Sequence, residues 1–230
     1  MRKSMSIYRW FGLVAVLCLA PLASADTMTL TGVAGASLGG VYTGPYYATI
    51  NGQTGIAVIC DDFSTESFLG RTVNVTETRV SDLASPTPNT TVKFFQGDGA
   101  AQEQNYMAAA YLAVQLIGVD QSTSAGRTLG SLLNYAIWGL FDGTAYSSLS
   151  GSQQALAEGY AATALGAVSS LTVASFSNVS ILTPNPASDS QEFLLVRTPE
   201  SSAPVLLAFN MLALLGLTVV LRRRMVGFRE

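Results

Sequence analysis

Residues 51–63 read NGQTGIAVICDDF, a turn dipeptide followed by an apolar run and two acidic residues. Asn51-Gly52 is a preferred dipeptide of tight hairpin turns, because both central positions of such a turn need a positive φ. The apolar run Gly55–Cys60 is predicted to pair back across the turn with Val41–Ile50. We therefore predict a β-hairpin whose second strand ends in a cysteine followed by two carboxylates.

Further strands are predicted on both sides of a central region. Arg71–Val80 alternates apolar and polar side chains, which is typical of a half-buried strand. Three shorter segments with apolar, β-branched character are also predicted to be strands: Thr27–Gly32, Ala174–Leu182 and Gln191–Arg197.

The central region is predicted to be helical. Apolar side chains between residues 129 and 141 recur at steps of three and one, which places them in one stripe, with Ser124 or Thr128 as the N-cap. Gln102–Ile117 and Ser152–Val168 are the other two predicted helices. This order predicts an α+β fold, a small β-sandwich or barrel built from N- and C-terminal strands with a central helical insertion.

The N-terminal segment has the layout of a secretory signal. Basic residues precede the apolar run Phe11–Ala20, and Ala23-Ser24-Ala25 supplies the small residues that a signal peptidase reads. We predict that residues 1–25 are a signal peptide cleaved after Ala25, so that the remaining chain is exported.

A second apolar segment lies near the C-terminus. Val205–Leu221 is long enough to span a membrane, and Arg222, Arg223 and Arg224 follow it at once. Basic residues stay on the cytoplasmic side, so we predict a transmembrane helix at 205–221 with the preceding domain outside.

This C-terminal layout resembles a PEP-CTERM sorting signal. Pro199 and Glu200 match the Pro-Glu-Pro motif of that family, and Ser201 stands in place of the second proline. The resemblance implies a sorting tail at 199–230 and a transpeptidase of the exosortase type as a partner. The protein would then be anchored by its helix or released to the cell surface or matrix.

The composition of the predicted exported domain, residues 26–198, excludes several functions. It holds 13 acidic and five basic residues, a net charge of −8, which does not suit a nucleic-acid partner. The chain has no histidine, which excludes Ser-His-Asp and Cys-His catalysis and histidine-ligated zinc. Cys60 is the single cysteine of this domain, so no intramolecular disulfide can form there. No cofactor is predicted.

Two short motifs resemble those of bacterial surface thioester domains. Cys60 and Asp62 match a Cys-x-Asp motif on a strand, and Ala136-Ile137-Trp138 matches an Ala-Ile-Trp motif on a helix. In that family a glutamine two residues before Ala-Ile-Trp joins the cysteine in a thioester, and here that position is Asn134. The resemblance implies Cys60 and Asn134 as crosslink candidates, with Gln115 as a second acyl partner.

Each candidate also has a purely structural interpretation. Cys60 can be a buried small apolar side chain, and Trp138 with its aromatic neighbours can belong to the core. A buried Asn134 would satisfy backbone groups at a strand end.

The acidic residues after Cys60 leave two further alternatives. Asp61, Asp62 and Glu66 could contribute oxygen ligands to a calcium ion, but they lack a calcium-loop motif and are predicted to form a solvated turn. Lys93 is the single lysine between residues 26 and 198 and could form an isopeptide bond with a partner that the sequence does not single out.

These observations predict a non-enzymatic, exported structural or adhesive protein of the cell surface or extracellular matrix. Its partners would be the membrane, the sorting transpeptidase and a surface polysaccharide or protein. The alternatives are a covalent adhesin that uses Cys60 and a secreted hydrolase that uses a carboxylate pair from Asp61, Asp62 and Glu66.

Overall fold

The computed structural model describes residues 26–84, 92–95 and 99–197. The predicted signal peptide, its cleavage point, the sorting motif and the predicted transmembrane helix lie outside these residues. Within the described part of the chain, none of the helices combines the length and the apolar character that crossing a membrane requires.

The described residues form eight strands: β1 Asp26–Val33, β2 Ser37–Leu38, β3 Val41–Tyr42, β4 Tyr46–Ile50, β5 Gln53–Cys60, β6 Thr72–Arg79, β7 Val179–Pro184 and β8 Phe193–Val196. Six of these strands are antiparallel and close into a barrel in the order β1-β4-β5-β8-β7-β6. Four of the six precede the helices in the chain and two follow them, which confirms the predicted α+β architecture of a barrel with a central helical insertion. The two short strands β2 and β3 pair with each other outside the barrel.

The hairpin predicted at Asn51-Gly52 is present between β4 and β5. Both turn residues have positive φ, 50° at Asn51 and 81° at Gly52, as this turn requires. The Asn51 side chain also accepts a hydrogen bond from the Thr27 N–H at 2.9 Å, which ties the turn to β1.

The prediction of one continuous strand over Val41–Ile50 is wrong. Pro45 has no N–H to donate to a ladder, and the chain divides there into β3 and β4. Because of this break, residues 43 and 44 form a buried loop that faces the helices.

In the part of the chain that the structure describes, three α-helices cover the barrel: α1 Gly99–Ile117, α2 Ser124–Gly139 and α3 Gly151–Val168. The sequence suggested Ser124 or Thr128 as the N-cap of α2, and this prediction is wrong. The N-cap is Thr123, whose hydroxyl accepts a hydrogen bond from the Gly126 N–H at 3.0 Å. Thr123 holds the extended backbone that a capping residue needs, and this is a property of the preceding turn.

The predicted strand at Ala174–Leu182 begins too early in the chain. Residues Val173–Phe176 form a short 3₁₀ helix, and β7 begins at Val179. Val173 and Phe176 are both buried in the core cluster that contains the helices. They are three residues apart, which places them on the same side of a 3₁₀ helix.

β5 divides the core into two clusters. Val58 and Cys60 belong to the barrel interior, whereas Ile59 between them faces the helices, because successive side chains of a strand point to opposite faces. Tyr135 and Trp138 reach from α2 into the barrel cluster and are buried, as predicted. The helix α2 thus sits directly against the end of β5.

Replacing Thr123 by alanine tests the observed cap. The Thr123→Ala variant should lose about 1 kcal/mol of unfolding free energy in urea, because the Gly126 N–H loses its acceptor. Ser124→Ala is the matched control and should change the unfolding free energy by less than about 0.5 kcal/mol. Equal losses in both variants would contradict this assignment of the cap.

Candidate functional site

Asn134 connects α2 to the loop before β4 and to the end of β5. Its side-chain oxygen accepts a hydrogen bond from the Gly44 N–H, and its amide nitrogen donates to the carbonyl of Cys60 at 2.9 Å. Asn134 is fully buried, so these bonds satisfy backbone groups that water cannot reach. This confirms the structural interpretation of Asn134 as a partner for backbone groups at a strand end.

The loop at residues 43 and 44 is also held by a second residue of α2. Ser131 lies one turn before Asn134. Its hydroxyl group forms a hydrogen bond with the Thr43 hydroxyl group, with the two oxygens 2.8 Å apart. A Cβ at position 44 would lie 2.8 Å from the Asn134 oxygen, so only glycine allows this close approach. The two contacts fix the Thr43-Gly44 loop against the helix.

Cys60 is a fully buried, free thiol in the barrel core. Its Sγ donates a hydrogen bond to the Asp62 carbonyl at 3.1 Å. Burial raises the pKa of this thiol well above its usual value, and the neighbouring Asp61 charge raises it further, while the Trp138 indole N–H acts in the opposite direction. The thiolate is therefore disfavoured in this environment.

The structure brings Cys60 and Asn134 together, although they are far apart in the chain. The contact joins the Asn134 amide to the Cys60 backbone carbonyl, and the thiol has a different partner. The crosslink between these residues stays a prediction. Gln115, the other candidate, is exposed on α1 in a shallow groove beside Val119 and Tyr160 and does not join this cluster.

Asp62 is fully buried and forms an ion pair with Lys93. Its Oδ2 contacts the Lys93 Nζ directly. Its Oδ1 accepts hydrogen bonds from the Ser64 N–H at 3.0 Å, the Ser64 hydroxyl at 2.9 Å and the Thr65 N–H at 3.2 Å. Both oxygens of this carboxylate are therefore matched by donors, as a buried charge requires.

Glu192 is a second buried carboxylate in the same cluster. It accepts hydrogen bonds from the Lys93 backbone N–H at 2.9 Å, from the Tyr106 hydroxyl at 2.5 Å and from the Thr183 hydroxyl. Burial raises the pKa of Glu192, although these donors act against the rise and the charge of Asp62 adds to it.

Asp61 is fully buried and has no hydrogen-bond donor for either oxygen among the described residues. Burial raises the pKa of Asp61 well above its usual range, and the charges of Glu192 and Asp62 raise it further. Two facing carboxyl groups in an apolar setting share a proton more readily than they both ionise. Burial and mutual repulsion therefore favour the protonated form of this pair.

The prediction that residues 61–66 form a solvated acidic turn is wrong. Asp61 and Asp62 are fully buried because the Cys60 strand ends beneath the helices, and only Glu66 of the three acidic candidates is exposed. Among the described residues, no three histidine, cysteine, aspartate or glutamate side chains are grouped closely enough to hold a metal ion.

Sequence reasoning missed Glu192, Tyr106 and Thr183. A glutamate immediately before the apolar strand β8 is a signal that could have found Glu192, since a charge at a buried strand end needs a partner. Nothing in the sequence links it to Lys93, because the contact joins residues from different parts of the chain.

A cleft opens on the barrel beside this buried cluster. Phe63 and Trp138 form its floor, with ring centroids 5.3 Å apart, and its volume is about 430 Å³. Tyr42, Phe68 and Leu69 form its rim with 66%, 58% and 59% of their surfaces exposed. We refer to these five residues as the aromatic cleft. Exposed apolar side chains gathered around a cavity of this size are typical of a binding site.

Two solved structures match this chain at low sequence identity. The N-terminal thioester domain of fibronectin-binding protein SfbI from Streptococcus pyogenes matches with 15% identity and a TM-score of 0.42, over 78% of this chain and 97% of that one. The pilus-presented adhesin Spy0125 (Cpa) matches with 14% identity and a TM-score of 0.41, over 73% of this chain and 44% of that one. No protein-family model matches the chain. No curated protein matches it significantly.

Removing the Asn134 side chain should destabilise the fold. Asn134→Ala leaves the Gly44 N–H and the Cys60 carbonyl buried without partners, at a cost of about 2–4 kcal/mol in unfolding free energy. Leu129→Ala, on the exposed face of the same helix, is the control and should cost less than about 1 kcal/mol. Urea unfolding measures both, and a loss below about 1 kcal/mol for Asn134→Ala would contradict the assigned role.

The Asp61–Glu192 pair predicts a pH dependence of stability. Both folded pKa values lie above the ordinary 3.8 and 4.5, so the folded state binds protons more tightly than the unfolded chain. The contribution of this pair to the unfolding free energy should therefore fall as pH rises from about 4 through these raised pKa values, by at most about 1.4 kcal/mol per pH unit for each group. Urea unfolding at a series of pH values above about 4 measures the slope of the unfolding free energy against pH.

Asp61→Asn is the matched variant for this measurement. The amide supplies the hydrogen-bond donor that the carboxyl pair otherwise obtains by retaining a proton, so the slope should become flatter. Equal slopes in the wild type and in Asp61→Asn would show that the pair is not proton-linked in this way.

Proposed function

We propose that the chain is an exported, non-enzymatic adhesive protein of the cell surface or extracellular matrix, and that it binds its partner through the aromatic cleft. The observation that carries the proposal is the exposure of Tyr42, Phe68 and Leu69 around a cavity with an aromatic floor. Aromatic side chains are enriched at the centres of protein interfaces because they bury a large area with few rotatable bonds.

The charge of the cleft supports a basic protein partner. Glu66 lines the cleft and is exposed, and residues 26–198 carry a net charge of −8. The polar groups of Ser67 and Gln191, which also line it, are already bonded to Ser190 and to the Asp62 carbonyl. Few polar groups therefore remain to bind sugar hydroxyls, whereas an apolar side chain flanked by lysine or arginine suits the cleft.

The carboxylates of the alternative hydrolase hypothesis lie elsewhere. Asp61 and Asp62 are fully buried and engaged within the fold, whereas Glu66 is exposed in the cleft. A carboxylate pair that works on a substrate must flank it from accessible positions. This separation supports a binding role for the site. Export and membrane anchoring are proposed from the two terminal segments of the sequence.

Substitutions at the rim test the proposal. Cells that produce the full chain with Tyr42→Ser or Phe68→Ser should adhere to matrix from their own culture at least about tenfold more weakly, because an interface aromatic contributes about 1.4 kcal/mol or more. Leu156→Ser is the matched control, since Leu156 is 51% exposed on α3 and does not line the cleft. Adhesion should be measured at equal surface levels of each variant.

Treatment of the matrix distinguishes the kinds of partner. Protease treatment should abolish adhesion and glycosidase treatment should leave it intact if the partner is a protein. The reverse result would assign the cleft to a polysaccharide. Equal adhesion by the rim variants, the control and the wild type would show that the cleft is not the binding site.

A further inference from the structure

We propose that Lys93 and Asp62 condense to an intramolecular amide, an isopeptide bond that links the segment before α1 to the end of β5. The Lys93 Nζ contacts the Asp62 Oδ2 directly. The Lys93 side chain is 16% exposed and the Asp62 side chain is fully buried. The structure thus supplies the partner that the sequence could not single out for this lysine.

The backbone around the pair holds both reacting groups in place. Lys93 is fixed through its own N–H, which donates to Glu192, and its ammonium also contacts the Thr65 hydroxyl. Asp62 is fixed by the three donors to its Oδ1 from Ser64 and Thr65. An amine and a carboxyl group held together in this way react at a much higher effective concentration than free groups do.

The reaction balances without any additional reagent. Nζ transfers one proton to Oδ2, and the resulting amine attacks the Asp62 Cγ to form the C–N bond. Negative charge then develops on Oδ1, where the Ser64 and Thr65 donors already point, as in an oxyanion hole. Cleavage of the Cγ–Oδ2 bond releases Oδ2 with two of the three ammonium hydrogens, as one water molecule.

Two neighbouring carboxyl groups can carry the second proton from nitrogen to the leaving oxygen. Glu192 bonds the Lys93 backbone, and Asp61 adjoins Asp62 in the chain with no donor for its own oxygens among the described residues. Burial raises the pKa of both groups, which favours their protonated forms and suits them to exchange a proton with the reacting pair. The product is a neutral amide, which removes the cost of keeping an ion pair away from water.

Peptide mapping of the full-length exported protein tests this bond. Trypsin cleaves after arginine and lysine, but it cannot cleave at a lysine whose amine is acylated. The wild type should yield peptide 80–127, uncut at Lys93 and joined to the peptide that ends at Arg71, with a mass about 18 Da below the sum of the two. Separate peptides 80–93 and 94–127 in the wild type would overturn the proposal.

Three variants make the result specific. Lys93→Arg keeps the charge but cannot form this amide, so its digest should contain no branched peptide. Glu192→Gln keeps the hydrogen-bond acceptor for Lys93 but removes a carboxyl proton carrier, so the branched fraction should fall severalfold. Asp62→Asn would lose ammonia in place of water, which lowers the mass by about 17 Da and identifies residue 62 as the acyl donor. A crosslink between Cys60 and Asn134 would join peptide 128–197 and is distinguished by its partner peptide.

Discussion

The buried carboxamide of Asn134 joins helix α2 to two separate backbone segments of the barrel. One side chain satisfies a donor from the loop before β4 and an acceptor at the end of β5, so α2 is held at a defined height on the barrel. An apolar residue could fill the same space, but it would leave Gly44 and Cys60 with unpaired backbone groups in a dry interior. The amide therefore specifies the position of the helix as well as stabilising it.

The position of α2 determines how the end of β5 is buried. Cys60, Asp61 and Asp62 follow one another directly, and each is fully removed from water, which is costly for two carboxyl groups. Asp62 is compensated by the Lys93 ammonium and by backbone donors, whereas burial and the charge of Glu192 favour the protonated form of Asp61. The acidic cluster is thus held together by a mixture of charge pairing and retained protons.

The aromatic cleft and the acidic cluster both use residues of the segment that follows β5. Phe63 and Trp138 close the floor of the cleft, and Trp138 also lies beside the Cys60 thiol. A partner bound at the exposed rim would transmit any pulling force to the segment that follows β5. A covalent link at Asp62 would strengthen that segment without altering the surface that makes contact. The two proposals rest on different residues, and either can hold without the other.

Local pattern in the sequence determined much of the fold. The apolar run of β5, the alternation in β6, the Asn51-Gly52 turn and the apolar stripe of α2 predict a barrel with a helical insertion, because strand and helix periodicity report directly which face is buried. The backbone role of Asn134 follows from the same reasoning, since a polar residue on a buried helical face needs partners.

The tertiary structure alone decided how the acidic residues are used. Asp61 and Asp62 have the sequence pattern of a solvated turn, and only the packing of the helices over the end of β5 makes them buried. The choice of Lys93 and Glu192 as their neighbours arises from three segments that meet in space, and no periodicity or spacing encodes such a meeting. The physical reason is that local pattern records which face of an element avoids water, whereas the pairing of buried charges depends on where distant elements come together.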